Sequence, residues 1–183
     1  MKIMILPGNG GCQIHKHHWY KWLSQTLEHH GFDVIAQDMP DPILARKEIW
    51  LPFIEQKIGD DPEAILIGHS SGAQAAMRYG ETHSLTGMIL VSACYSDLGS
   101  ETEKLSGYYS NPWNWEAIRN HCKWIAQLAS SNDPFIPLKE AHFVRDHLQP
   151  HYLEFSDRGH FMGSEKGGDR LQEAVDIILA HTK

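Results

Sequence analysis

The sequence predicts an α/β fold in which a parallel sheet of six strands carries helices on both faces. Short apolar runs that end in Gly, Ser or Asp alternate with amphipathic stretches, and most of the connections between them are short. The strands are expected at 2–6, 33–37, 64–68, 87–92, 124–129 and 151–155. The first helix is expected at 17–30, where Trp19, Trp22, Leu23 and Leu27 share one face. A second is expected at 43–58, with Leu44, Trp50, Leu51, Ile54 and Ile58 together, Asp41-Pro42 as its N-cap and N1, and Pro52 kinking or dividing it. The stretches 71–82, 138–148 and 167–181 read as the remaining helices. Segment 93–113 breaks the rhythm as a long aromatic loop, and such loops in compact domains usually serve function.

A chain of 183 residues, 42% hydrophobic, suits one domain over 1–183 with one substantial core. The net charge of −7, without clustered Lys or Arg, argues against nucleic acid or an anionic membrane as partner. No apolar run reaches membrane-spanning length, and Pro7-Gly8 stops the N-terminal one well short of a secretory signal. Cys12, Cys94 and Cys122 are odd in number and widely spaced, which fits reduced thiols and a cytoplasmic location. His15, His17 and His18, with His29 and His30, lack a matching carboxylate or Cys cluster, so a solvated helix start is the expectation, with no metal and no cofactor.

The chemistry centres on Gly68-His69-Ser70-Ser71-Gly72, between the apolar run Ala64-Ile65-Leu66-Ile67 and the small-residue helix start Ala73-Gln74-Ala75-Ala76. This is the strand, turn, helix setting of a nucleophile elbow, whose tight turn leaves room only for small neighbours where the helix crosses the strand. The expected strand at 124–129 leads into Ser130-Ser131-Asn132-Asp133, and the one at 151–155 into Ser156-Asp157-Arg158-Gly159-His160. Ser70, Asp133 and His160 therefore occur in the order nucleophile, acid, base, at the ends of successive strands. His160 would take the Ser70 proton as the hydroxyl attacks an acyl carbonyl, and Asp133 would orient the imidazole. Asp157 is a weaker acid candidate because it shares a loop with His160. His69 adjoins the nucleophile on a turn where neighbours point apart, so packing or hydrogen bonding is its expected role. The backbone N–H groups of Ser71 and Asn9, the latter in Gly8-Asn9-Gly10-Gly11, are the expected oxyanion donors. Tyr108, Tyr109 and Trp113, with Trp115, read either as a substrate-binding wall in a lid-like position or as core aromatics beneath a loop; Tyr108, Tyr109 and Trp113 are taken as the expected wall.

These residues resemble the retinoblastoma-binding protein 9-like small serine hydrolases almost from end to end. The resemblance rests on Pro7-Gly8-Asn9-Gly10-Gly11, Met39-Pro40-Asp41-Pro42, Ile49-Trp50-Leu51-Pro52-Phe53, the elbow pentapeptide, Ser96-Asp97-Leu98-Gly99, Ser106-Gly107-Tyr108-Tyr109, Pro112-Trp113, Asp133-Pro134-Phe135 and Gly159-His160-Phe161. It implies a minimal α/β-hydrolase with strand order 2-1-3-4-5-6, a triad of Ser70, Asp133 and His160, and hydrolysis of small ester or amide substrates by a carboxylesterase or aminopeptidase-like amidase. The retinoblastoma-protein partner is not expected to transfer. The segment that carries Leu-x-Cys-x-Glu in the founding member reads Ile58-Gly59-Asp60-Asp61-Pro62-Glu63 here and lacks both the Leu and the Cys. The rival reading is a catalytically silent interaction module on the same scaffold, against which the complete triad argues.

Overall fold

A computed structural model of the chain describes residues 1–59, 61–163 and 168–182. Six strands, β1 (Lys2–Leu6), β2 (Asp33–Ile35), β3 (Ile65–His69), β4 (Leu85–Val91), β5 (Cys122–Ser130) and β6 (His151–Phe155), form one sheet in the order β2-β1-β3-β4-β5-β6. All five pairings are parallel. The apolar runs are continuous because both faces of such a sheet are covered, and alternate residues feed two separate cores.

Ile3 and Ile5 of β1, Ile65 and Ile67 of β3, and Ile89 and Val91 of β4 face one layer. There they meet α1 (Tyr20–His29) through Leu23 and Leu27, and α7 (Gln172–His181) through Ala174, Val175 and Ile178. Met4, Leu6, Leu66, Met88 and Leu90 face the other layer. That layer is built by α2 (Lys47–Ile58), α3 (Ser71–Gly80), α5 (Trp115–His121) and α6 (Leu138–Leu148), which contribute Trp50, Ile54, Met77, Tyr79, Ile118 and Val144. The register Ile3↔Ile65, Met4↔Leu66, Ile5↔Ile67 keeps like-facing residues level, and a slip of one residue would exchange the two cores.

Several expected boundaries move. The second helix starts at Lys47 and runs through Pro52 undivided. Asp41, with φ +48°, closes a turn by accepting hydrogen bonds from the Arg46 N–H at 3.0 Å and the Arg46 Nε at 2.8 Å instead of capping a helix. The first helix starts at Tyr20. The last helix starts at Gln172, while residue 167, its expected start, lies outside the described residues, as does Asp60 of the segment compared with Leu-x-Cys-x-Glu.

The segment after β4 is more than a loop: it holds α4 (Glu101–Ser106) and then reaches α5. The Ser100 hydroxyl caps α4 by accepting from the Glu103 N–H, Gly107 closes it in the left-handed region, and Asn114 caps α5 by accepting from the Ala117 N–H at 3.1 Å. Their few residues show no apolar periodicity, although Ser100-x-x-Glu103 is a readable capping signal. No helix among the described residues is long and apolar enough to cross a membrane.

One contact is especially tight. A Cβ on Gly72 would overlap the Leu6 carbonyl oxygen and lie 2.7 Å from the Pro7 oxygen, while one on Gly68 would lie 2.6 Å from the Ala73 Cα. These obstacles are backbone atoms and cannot rotate away. Gly72→Ala is therefore expected to lower stability by about 3 kcal/mol or to prevent folding. Urea unfolding monitored by tryptophan fluorescence reads this, and a wild-type midpoint would contradict the crossing.

Candidate active site

Ser70 occupies the turn between β3 and α3 with φ +53° and ψ −123°, a conformation that non-glycine residues rarely adopt. Three backbone hydrogen bonds hold it there, from the Ser70 N–H to the Val91 carbonyl at 2.9 Å and to the Ser70 carbonyl from the Ala73 N–H at 2.8 Å and the Gln74 N–H at 3.4 Å. The strain is thus shared between the sheet and the helix N-terminus, and Ser70 sits just past the C-terminal end of β3. Gly8, just past β1, is so close that a Cβ there would be 3.3 Å from the Ser70 Cβ.

His160 lies on the loop after β6, between Gly159 at φ +51° and Phe161 at φ +56°. The Gly159 N–H donates to Asn132 Oδ1 at 2.8 Å and the Arg158 N–H donates to Ser130 Oγ at 3.0 Å, which ties this loop to the end of β5. The same loop from β5 carries Asp133. Its two carboxylate oxygens lie 2.8 and 3.0 Å from His160 Nδ1, and both side chains are buried. Oδ1 also accepts the N–H groups of Phe135 at 2.9 Å and Ile136 at 3.0 Å. Burial by itself would push the Asp133 carboxyl up. The hydrogen bond and charge of His160, with the two backbone donors, outweigh that and hold it below the ordinary carboxylate range. An ionised acceptor at Nδ1 places the ring hydrogen there and leaves Nε2 bare.

Ser70, Ser71, Asn9 and His160 line one cavity of about 360 Å³, together with Leu98, Phe135, Ile136 and Met162 as its apolar wall. Among the described residues no hydrogen bond joins the Ser70 hydroxyl to the His160 ring, and a loose nucleophile–base contact is common in unliganded sites. Glu103 supplies the cavity's single carboxylate among the described lining residues. Its Oε1 accepts from Asn9 Nδ2 at 2.8 Å and its Oε2 accepts from the Tyr109 hydroxyl at 3.4 Å. Cys94 also lines the cavity, but burial pushes its thiol up to about 12, so it is protonated at neutral pH and a poor nucleophile.

The structure thus gathers Ser70, Ser71, Asn9 and His160 at one cavity and pairs His160 with Asp133. Asp157 is exposed, and both acidic oxygens recorded at His160 Nδ1 belong to Asp133. The expected substrate wall is corrected, since none of Tyr108, Tyr109 and Trp113 lines the cavity. Tyr108 is fully buried in the core. Tyr109 stands behind Glu103 and Cys94, with its hydroxyl 3.2 Å from the Cys94 sulfur. Trp113 lies over the Arg78 guanidinium, 3.7 Å from its centre, and donates Nε1–H to the Tyr95 carbonyl at 2.8 Å. Aromatic side chains in a nominal loop are drawn into the core because the loop is partly helical and packs inward. Glu103 lies in the segment that reads as a long aromatic loop, where a single carboxylate carries no local signal of the cavity it reaches. Among the described residues no group of three or more His, Cys, Asp or Glu could hold a metal ion.

A sequence model of the family described as serine hydrolase matches residues 3–179. The chain is 52% identical over 165 residues to the rat protein Serine hydrolase RBBP9, covering 90% of this chain and 89% of that one. Among solved structures, the ydeN gene product of Bacillus subtilis superposes with a TM-score of 0.88 at 24% identity, covering 98% of this chain and 97% of that chain. A monoacylglycerol lipase of Paleococcus ferrophilus superposes with a TM-score of 0.72 at 17% identity, covering 99% and 95% of the two chains. The two solved structures are alike in fold, while the family match and the rat protein are alike in sequence along most of the chain.

The lowered Asp133 carboxyl has a consequence for stability. A depressed folded-state value contributes stability that is present above the unfolded value, about 3.9, and is lost as pH falls through the folded value. Wild type is therefore expected to lose its advantage over Asp133→Asn as pH is lowered from 7 toward 2. Urea unfolding of both proteins across that range measures it, and a constant difference would rule the ionised, buried Asp133 out.

Proposed function

The chain belongs to the serine hydrolase family, and on that premise we propose that it hydrolyses small esters or amides through an acyl-enzyme formed on Ser70. The observation that carries the reading is the Asp133–His160 pair, bonded at 2.8 and 3.0 Å through Nδ1, at a cavity that the strained Ser70 also lines. With Nδ1 committed to Asp133, His160 Nε2 is the basic nitrogen. It takes the Ser70 proton while Oγ bonds to the acyl carbon, and it returns that proton to the leaving oxygen or nitrogen as the tetrahedral intermediate collapses. A water then attacks the acyl carbon and gives one proton to the same nitrogen, which returns it to Ser70 Oγ as the acyl–Oγ bond breaks and the acid leaves. Asp133 stays ionised throughout and stabilises the imidazolium.

The developing oxyanion is assigned to the N–H groups of Ser71, at the start of α3, and of Asn9. In support, Gly8 is already committed, donating its N–H to the Tyr20 hydroxyl at 3.2 Å, so Asn9 is the next donor along that loop. The cavity of about 360 Å³ is at the small end for ligand sites, which favours a short acyl group against Leu98, Phe135, Ile136 and Met162.

Between ester and aminoacyl amide, Glu103 favours an acyl group that carries an ammonium. It is the one carboxylate among the described lining residues, and its oxygens retain acceptor capacity beyond the bonds from Asn9 and Tyr109.

A fluorophosphonate probe should label wild type and leave Ser70→Ala unlabelled. Asp133→Asn should lower kcat by about 10⁴ while Asp157→Asn stays near wild type. Folded wild type that resists the probe, or equal small losses from the two Asp variants, would overturn the triad. Against a panel of p-nitrophenyl esters and aminoacyl amides, Glu103→Gln is expected to raise KM about tenfold for the amine-bearing substrates alone. Equal KM changes across the panel would remove the ammonium assignment and leave the triad untouched.

A further inference from the structure

The residue before the nucleophile sits in a second hydrogen-bonded chain that the proposed chemistry does not use. His69 is 1% exposed, with its Nε2 2.8 Å from the His160 carbonyl oxygen and its Nδ1 2.6 Å from the Tyr20 hydroxyl. A carbonyl only accepts, so Nε2 carries the ring hydrogen; the bare Nδ1 then accepts from the Tyr20 O–H. The Tyr20 oxygen in turn accepts from the Gly8 N–H at 3.2 Å. Every hydrogen in the chain thus has one direction, from Gly8 through Tyr20 and His69 to His160.

The two ends of that chain are the two parts whose separation matters most. Gly8 immediately precedes Asn9, and His160 is the base. We propose that His69, held in a single tautomer by the His160 carbonyl and anchored through Nδ1 by Tyr20, is a positioning residue that sets the His160 backbone against the Gly8-Asn9 loop. The inference rests on the hydrolytic reading above.

The titratable groups facing the ring are Tyr20 and His18 from the segment entering α1, with ring centroids 5.8 Å away, and His160 from the loop after β6 at 5.0 Å. Cys12 reaches only the Tyr20 oxygen, at 3.9 Å. Burial first, and then the neighbouring His160 charge, holds His69 well below the ordinary histidine value. A neutral His69 also suits its position, because His160 becomes a cation in each half-reaction and a second imidazolium at 5.0 Å would oppose it.

Nitrogen NMR of histidine-labelled wild type should show one imidazole fixed as the Nε2–H tautomer and silent to titration between about pH 5 and 9. Tyr20→Phe removes one hydroxyl from a buried ring. It should lower kcat for a p-nitrophenyl ester about tenfold with KM within about twofold, while the still-buried imidazole keeps its Nε2–H tautomer. His69→Gln, which keeps an amide N–H where Nε2 stands, should recover most of the kcat lost in His69→Leu; if His69→Leu does not fold, Tyr20→Phe carries the test. The proposal is overturned if wild-type His69 is the Nδ1–H tautomer or titrates normally, or if folded Tyr20→Phe keeps the wild-type kcat and KM. Fixed tautomer in a wild type that turns over no acyl substrate would support the tether and overturn the hydrolytic reading.

Discussion

The crossing of α3 over β1 and β3 sets the geometry from which the rest of the site is measured. At Gly72 the helix backbone lies against the Leu6 and Pro7 carbonyls, and at Gly68 the strand lies against the backbone of Gly72 and Ala73, with no room for a Cβ at either position. That closeness forces the chain to turn within a residue or two, which drives Ser70 to φ +53°. The register of β3 on β4 then supplies the Val91 carbonyl that holds the Ser70 N–H at 2.9 Å. A looser crossing would relax the turn, and the hydroxyl would lose its fixed place beside Gly8.

Around that point, buried polar groups are stable because each is answered by several partners. Asp133 combines His160 with two backbone donors, and the His160 loop is answered in turn by Asn132 and Ser130. Arg78 does the same on the other layer. It is 5% exposed, donates to the carbonyls of Tyr108, Asn111 and Pro112, pairs with Glu81 at 2.7 Å and lies beneath Trp113. Isolated, that guanidinium would be strongly destabilising in an apolar cluster; with five protein partners it becomes the post around which residues 108–113 are wound. Residues 108–113 therefore pack as part of the core, and from the longer segment 93–113 it is Cys94, Leu98, Ser100 and Glu103 that reach the cavity.

The buried histidine at position 69 links these two themes. Its neighbours commit it to one tautomer, so its hydrogen bonds join the end of β1 to the loop after β6 without a covalent link. Three chain segments that are distant in sequence thereby share one set of directed bonds along the cavity lining.

Strand positions, the parallel sheet and the candidacy of Ser70, Asp133 and His160 were legible in the sequence itself. Apolar runs of fixed length, small residues at the elbow and turn residues after the fifth and sixth strands are local signals, and each lies within a few residues of what it specifies. The helices at Glu101–Ser106 and Trp115–His121 were legible only through their caps, since neither is long enough to show a period. What tertiary structure decided was direction. Tyr108, Tyr109 and Trp113 look like a binding wall in one dimension, yet packing around Arg78 turns them inward and leaves Glu103 at the cavity instead. Tyr20 reads as one more aromatic on a helix face until the fold sets its hydroxyl 2.6 Å from a histidine forty-nine residues away. Periodicity reports which face of an element is apolar, whereas the partner that a polar atom meets depends on how three or four elements converge, and no local pattern encodes that.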